Sequence, residues 1–563
     1  MDHVDEGGSA SSAGRSETRR LVRQSGTTGI AALGSVVAGL LLSVAIAAAF
    51  GAGQHLDAFF VGANIPIGLA AMVMTAANQT LVPKFSTWFV QRTDVEAMGS
   101  IAGVFTATVI AGVAVACLGG LLALPLARLT APGLPDSSIA LAASISRIMF
   151  FIVPLTAAAE VLRGLLNSRY AFVAPAAMNL VMNGIAATIV LALAGTDVHT
   201  VAWAYLAGAA GQLLFMLALA QRKGFRVHRR LPFRDAEVGA VARLSVLPMV
   251  AAGLNPVVRV AEQLFASYLP AGSISIVNYG MTLVNAIGGA VFFRSVIVAL
   301  LPRLTEATAR KQRKRVAETT SLGLKVMLSI AFPLTAFIAV LAKPAVRALF
   351  ARGSFNKASA GLLGLMLAVY AASLVGSAVQ RALLAPFFAK LDTGTPLRNT
   401  FYGVLANLVL LPIGVLPWGH GHRNAVIGIA IAYSVSQYVN VAHAAFRLRR
   451  TLDEPLDVPL RWTLRVMVAS GLSAAAMFVA VHAVHLDSTT NRYKILGITT
   501  VIGIAGLAVL GLAIALLGAD EARRTLNQMR DSRRRRGKLA GGPTEKAVSR
   551  AAGNDAGLAP PTA

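Results

Sequence analysis

The chain reads as an all-α polytopic membrane protein of about fourteen transmembrane helices, built as two six-helix pseudo-symmetric lobes plus two C-terminal helices. Three observations predict this class. Only 13% of residues are charged and 56% are hydrophobic, against roughly 25% charged in a soluble protein. The mean hydropathy is +0.66. Apolar runs recur from end to end and are continuous rather than alternating, which disfavours a β-barrel.

The elements follow in order. Residues 1–27 are rich in Gly, Ser and charge without periodicity and are expected to form a disordered cytoplasmic tail. No cleavable signal peptide is visible. Apolar segments follow at about 28–50, 57–83, 98–127, 138–165, 171–194, 199–221, 238–269, 273–302, 318–342, 358–389, 399–418, 424–447, 461–485 and 494–518. Each can cross an approximately 30 Å hydrocarbon core at 1.5 Å per residue. Residues 519–563 form a basic tail containing Arg533–Arg536. The one cysteine, Cys117, lies in an apolar run and excludes an internal disulfide or a multi-cysteine metal site.

The formal net charge of +26 collects in loops and tails, where it meets anionic headgroups rather than nucleic acid. Loops after even-numbered spans carry most of the Lys and Arg, including Arg222–Arg234 and Arg303–Arg315, while those after spans one, five and seven carry none. The positive-inside rule then puts both termini of a multi-pass protein in the cytoplasm. One loop resists. The basic segment AKPAVRALFARGSFNKAS follows span nine and would face outward, as an amphipathic piece on the outer leaflet.

Two short matches share one interval. LVPKFS at Leu81–Ser86 resembles LLPRLT at Leu300–Thr305, and LRGLLN from Leu162 resembles QRALLA from Gln380, both displaced by roughly 218 residues. A duplicated six-span unit follows, with lobes at 28–235 and 236–450, an added pair at 451–518, and substrate held between the lobes.

Ionisable residues inside spans mark candidate sites, because each costs about 2.5–3.5 kcal/mol on insertion scales. Arg259 and Glu262 are three apart on one helical face, one turn after Asn255–Pro256, and can pair or line a cavity wall. Arg294 sits some 12 Å of helix from the end of span eight, close enough to snorkel. Arg147 is similarly placed in span four. Asp57 begins span two as a helix cap or a functional carboxylate. Glu160, Arg163 and Arg381 are read as structural pairing at the cytoplasmic rim, and His420 and His422 as loop histidines. There is no phosphate-binding loop, zinc spacing or nucleophile elbow, so neither ATP hydrolysis nor enzymatic chemistry is expected. No cofactor is expected, leaving the membrane potential or a monovalent ion for coupling.

FGAG at Phe50–Gly53, DAFFVGANIP at Asp57–Pro66 and QTLVPKF at Gln79–Phe85 resemble the first hairpin of the MurJ (MviN) lipid II flippase family. FASYLPAGSISIVNYG at Phe265–Gly280, LLPRL, KPAVRALFARGSF and the stretch Tyr370–Pro396 resemble later family segments, so the likeness covers approximately residues 30–450. It implies the fold of the MOP exporter superfamily, alternating access, and movement of an undecaprenyl-pyrophosphate-linked saccharide between leaflets. Expected partners are the lipid-linked glycan, membrane lipids and cell-wall or polysaccharide synthesis enzymes. The chain departs from the family at its arginines. The family's S-R-x-x-G-x-x-R-D register here holds Ser35, Val36, Gly39, Leu42 and Ser43. Its arginine-bearing span-two stretch is Gly68–Asn78, and its A-D-R-L is Gly280–Leu283. Of the signature polar residues only Asp57 carries over. Arg259 and Arg294 are therefore expected to meet the pyrophosphate, with Glu262, Asp57 and Arg147 completing the substrate site. An exopolysaccharide or O-unit flippase is the alternative; a drug antiporter would need a carboxylate-dominated cavity, and a transport-dead scaffold would leave the intramembrane charges unexplained.

Overall fold

The computed structural model describes residues 7–193, 197–226, 236–287, 293–419, 422–486 and 491–517, with the side chains of 7–26, 294, 295, 298 and 418 outside that description. Among the described residues every regular element is helical: α1 (Gly7–Phe50), α2 (Gln54–Gln91), α3 (Asp94–Leu121), α4 (Ala123–Thr130), α5 (Asp136–Met149), α6 (Ile152–Ser168), α7 (Val173–Ala192), α8 (His199–Gln221), α9 (Ala236–Ser267), α10 (Ser273–Ile287), α11 (Phe293–Ala309), α12 (Arg313–Phe350), α13 (Lys357–Ala389), α14 (Gly394–Val415), α15 (Ala425–Leu452), α16 (Leu460–Ala483) and α17 (Arg492–Leu516).

Twelve helical spans among the described residues are long and apolar enough to cross a membrane. Two expected spans lie outside that set. Of span eight, the described helices α10 and α11 are 15 and 17 residues long, and residues 288–292 between them lie outside the described residues. In α14, 22 residues long, Arg398 and Asn399 dilute the hydropathy. The helix α1 reaches back to Gly7, into the stretch expected to be a disordered tail, although its apolar span begins at Thr27. The first half of the basic segment after span nine is no separate surface piece: Lys343–Phe350 prolongs α12 through Pro344. The tail containing Arg533–Arg536 lies outside the described residues.

Local chemistry fixes the ends. Thr93 and Glu96 form a reciprocal capping box at α3, while Asn356 and Asn491 cap α13 and α17 through their side-chain oxygens. Large apolar side chains such as Leu247 and Val250 of α9, Val409 and Ile413 of α14, and Ile504 and Leu507 of α17 stand exposed. In water they would form an aggregating patch; in lipid they face their proper solvent.

One helix pair organises the molecule. The helices α2 and α9 run antiparallel along their whole contact. At one end Asn64 Nδ2 donates to Gln263 Oε1 at 2.5 Å. Midway, Gly68 lies against Pro256 and Gly253 against Met72, small residues permitting close approach. Further on, Thr80 and Ser245 share a hydroxyl hydrogen bond of 3.1 Å. At the far end Glu237 takes an ion pair from Lys84 at 3.1 Å, a second from Arg92, and a hydrogen bond from Trp88 Nε1 at 3.3 Å. The pair joins the first half of the chain to the second and forms one wall of the space between them. Beyond it, α12 packs on α13, α14 on α15, and the α16–α17 pair on α12.

Candidate functional site

A cavity of about 730 Å³ lies between the halves, lined by α2, α6, α7, α8, α9, α10, α13, α14 and α15. That volume suits a headgroup rather than a whole polyprenyl lipid. Its polarity comes mainly from carboxamides. Asn64, Gln212, Asn278 and Asn440 are buried in its wall, and Asn255, Asn285, Gln380 and Gln437 also line it. Several hold each other in place: Gln212 Nε2 donates to Asn179 Oδ1 at 3.2 Å, and Gln380 Nε2 to Asn399 Oδ1 at 2.6 Å. The aromatic rings of Phe59, Phe60, Tyr205 and Tyr433 complete the wall.

Among the described residues two arginines reach this space. Arg259, half-buried on α9, donates from Nη1 to Asn278 Oδ1 at 3.4 Å. Arg381 on α13 lines the same cavity, where a role at the cytoplasmic rim was expected. Glu160 is also in the wall, ion-paired to Arg163 at 2.5 Å, which realises the spacing-based pairing of those two.

The other expected site residues are placed elsewhere. Glu262 does not pair with Arg259; no ion pair joins them within 4.0 Å, and the carboxylate is fully buried behind the cavity wall beside the Asn407 amide of α14. A three-residue step rotates the side chain by about 60° from its partner, and here that turns Glu262 into the packed α9–α14 contact. Arg147 is exposed on α5 and not in the cavity, because Ile145, Ser146 and Met149 supply the buried face of that helix. The side chain of Arg294 lies outside the described residues.

Asp57 is buried but does not line the cavity. Its Oδ2 accepts from the Gly272 N–H at 2.6 Å, and its Oδ1 from the Ser275 N–H at 2.7 Å and the Ser275 hydroxyl at 2.6 Å. A carboxylate of the first half thus caps the N-terminus of α10 in the second half. Around it the chain closes backbone against backbone. Gly272 has φ +93°, and a Cβ there would stand 2.7 Å from the Ala52 carbonyl. The Gly353 turn, φ +55°, packs on Ala48 equally closely, and Ser354 N–H donates to Ala48 O at 2.9 Å. Gly133 N–H donates to Ser267 Oγ at 3.1 Å. This end of the cavity is sealed. Sequence spacing could not show the Asp57 clamp, whose partners lie more than two hundred residues away. The carboxamide lining had a legible signal in the intramembrane Asn and Gln residues, which are costly in lipid without partners.

Comparison with known proteins agrees with this geometry. The family model described as "Lipid II flippase MurJ" matches residues 46–504. A probable lipid II flippase MurJ from Rhizobium meliloti is 27% identical over 82% of this chain and 87% of its own length. The lipid II flippase MurJ of Burkholderia cenocepacia is 27% identical over 84% and 92%. Among solved structures, a lipid II flippase MurJ in an inward closed conformation superposes with a TM-score of 0.73 at 19% identity, covering 88% of this chain and 99% of its own. An inward-facing multidrug resistance MATE transporter of the MOP superfamily gives 0.59 at 17% identity over 75% and 96%. These two share the fold.

Proposed function

The chain belongs to the MurJ lipid II flippase family, and from that premise we propose that it carries a polyprenyl-pyrophosphate-linked saccharide, lipid II by family, from the inner to the outer leaflet of the plasma membrane. The observation that carries this reading is the cavity of about 730 Å³ between the halves, closed at the Asp57 end and presenting Arg259 and Arg381 inside. A pyrophosphate in a low-dielectric cleft needs cationic, multiply donating partners, and two guanidiniums supply them. The positive-inside distribution makes the Asp57 end the outer face, with both termini cytoplasmic. Alternating access then means breaking the Asp57 clamp while the far end closes. The work is transport, with no covalent step, and it serves peptidoglycan synthesis and the enzymes that use the flipped precursor.

The carboxamide lining favours a second reading at one point. Eight or more Asn and Gln side chains suit the hydroxyls and amides of a sugar chain, with few charges for peptide carboxylates, as an exopolysaccharide or O-unit carrier would require. A drug antiporter is less favoured, since Glu160 is the sole carboxylate among the described lining residues. Depletion of the protein separates the two main readings. Accumulation of lipid II is expected; an unchanged lipid II pool with loss of a surface polysaccharide would replace the first reading by the second.

Coupling to an ion gradient belongs at Glu262. A fully buried carboxylate beside an Asn amide is where a monovalent cation or a proton would exchange charge with the α9–α14 contact. In proteoliposomes the wild type should respond to an imposed ion or proton gradient and Glu262→Gln should not. A wild type indifferent to every gradient would remove this assignment.

A further inference from the structure

At the sealed end of the molecule a group of cations gathers. Lys343 and Arg347 lie on the last turns of α12, Arg352 follows in the turn to α13, Lys357 opens α13, and Arg492 and Lys494 open α17. Between Glu318 and Asp392 the sequence contains no acidic residue, and none occurs from Asn491 to the end of α17. Among the described residues neither Arg352 nor Arg492 takes part in an ion pair.

Three features turn this charge into a preformed site. First, packing fixes the positions. Met477, Ile495 and Ile502 bury against Phe337, Leu341 and Ala348, holding the start of α17 against the end of α12. The Arg352 turn is held from the other side: the Gly353 backbone rests on Ala48, and Ser354 bonds to Ala48 O at 2.9 Å and Ala49 O at 3.0 Å. Second, a donor is unspent. Arg352 Nε is buried with no hydrogen-bond partner, an arrangement that is costly unless an acceptor fills it. Burial, then the nearby Arg492 guanidinium, hold Arg352 below the usual arginine range. Third, the helix field has the same sign. The N-terminus of α17 is a positive dipole end and would ordinarily attract acidic residues. Its first turn instead carries Arg492 and Lys494 and no acid. Arg492 is oriented over the Tyr493 ring at 4.9 Å, and its Nη2 donates to the Tyr493 hydroxyl at 3.1 Å.

We propose that Arg352 and Arg492 form a binding site for a phosphate group at the outer end of the α12–α17 seam, separate from the central cavity. The ligand chemistry is a phosphodiester or pyrophosphate. Its source is either the headgroup of an anionic phospholipid in the outer leaflet or a soluble phosphate. Guanidinium forks read such groups bidentately, which distinguishes a site from ordinary snorkelling to the interface. Because the Arg352 turn is bonded to the end of α1, an anion held there ties the C-terminal helix pair to the outer seal.

The test uses the full chain, delipidated in neutral detergent. Native mass spectrometry is run with added phosphatidylglycerol or phosphatidylcholine, and thermal unfolding is followed with and without sodium pyrophosphate. Selective retention of one phosphatidylglycerol, falling about tenfold or more in Arg352→Gln/Arg492→Gln, supports the site with a lipid source. Pyrophosphate protection lost in the same variant, without lipid preference, supports it with a soluble source. Arg310→Gln, a charge loss at a distant exposed pair with Glu306, should leave either signal unchanged. If the double variant elutes as a misfolded species, Arg352→Lys/Arg492→Lys replaces it; that pair keeps the charges but loses the forks, and retention should fall at least threefold. Equal retention of both lipids without pyrophosphate protection, or a signal as strong in the variants as in the wild type, overturns the proposal.

Discussion

Arg259→Gln is expected to reduce translocation of a lipid-linked pyrophosphate substrate by at least about thirtyfold, with the defect in binding as well as turnover. Truncating one member of a buried charge pair costs roughly 2–5 kcal/mol, and each 1.4 kcal/mol is about tenfold. The side chain stands in the cavity wall and donates to Asn278, so glutamine removes the charge and the fork while Asn278 keeps its bond to the Ile274 carbonyl. Lysine at 259 should recover only part of the activity, since it restores charge without bidentate geometry. Arg381→Gln should act in the same direction, and the double variant should lose less than the sum of the two, because both would serve one anion. Proteoliposome transport of a fluorescent lipid II analogue is the measurement. Transport within twofold of wild type in both single variants would remove the arginines from the substrate site.

Asp57→Ala is expected to open the sealed end. The carboxylate accepts three short hydrogen bonds from Gly272 and Ser275, and bonds to a charged group contribute about 1.5–3 kcal/mol each. Alanine also leaves two backbone N–H groups at the start of α10 without acceptors. A net loss of about 4 kcal/mol would move a two-state equilibrium by nearly a thousandfold, enough to make the open arrangement dominant. Spin labels at Ser137 and Lys357, exposed positions on either side of the seal, would report it, after the exposed Cys117 is replaced by serine. The distance distribution should lengthen strongly in Asp57→Ala, less in Asp57→Asn and least in Ser275→Ala, which removes one bond of three. An unchanged distribution in Asp57→Ala would show that the backbone contacts at Gly272 and Gly353 hold the seal alone.

Much of the architecture was legible because bilayer insertion is a local property. An apolar run about twenty residues long must become a helix whatever surrounds it, so most expected spans correspond to helices. The exception, the diluted α14, lies where polar residues weaken that rule. The two matches at one interval lie at Pro83 in α2 and Pro302 in α11, and at Arg163 in α6 and Arg381 in α13. Intramembrane cost singled out Arg259, which the structure places in the cavity wall. The same cost gave Arg147 and Glu262 an equal claim, and the structure gives them an exposed face and a buried contact.

By itself, then, the sequence determined the class, the approximate spans, the concentration of positive charge in the loops and the presence of costly polar groups within the membrane. Only the tertiary structure decided which way those groups face. In a soluble helix, polarity marks the outer face; in a lipid-embedded helix the outer face is apolar too, so periodicity loses the information that would separate cavity from lipid from protein contact. Asp57 is the clearest instance. Its sequence position announced a helix cap for α2, whereas the antiparallel register of α2 on α9 and the return of the chain through Gly272 made it the cap of α10 and the fastening between the two halves.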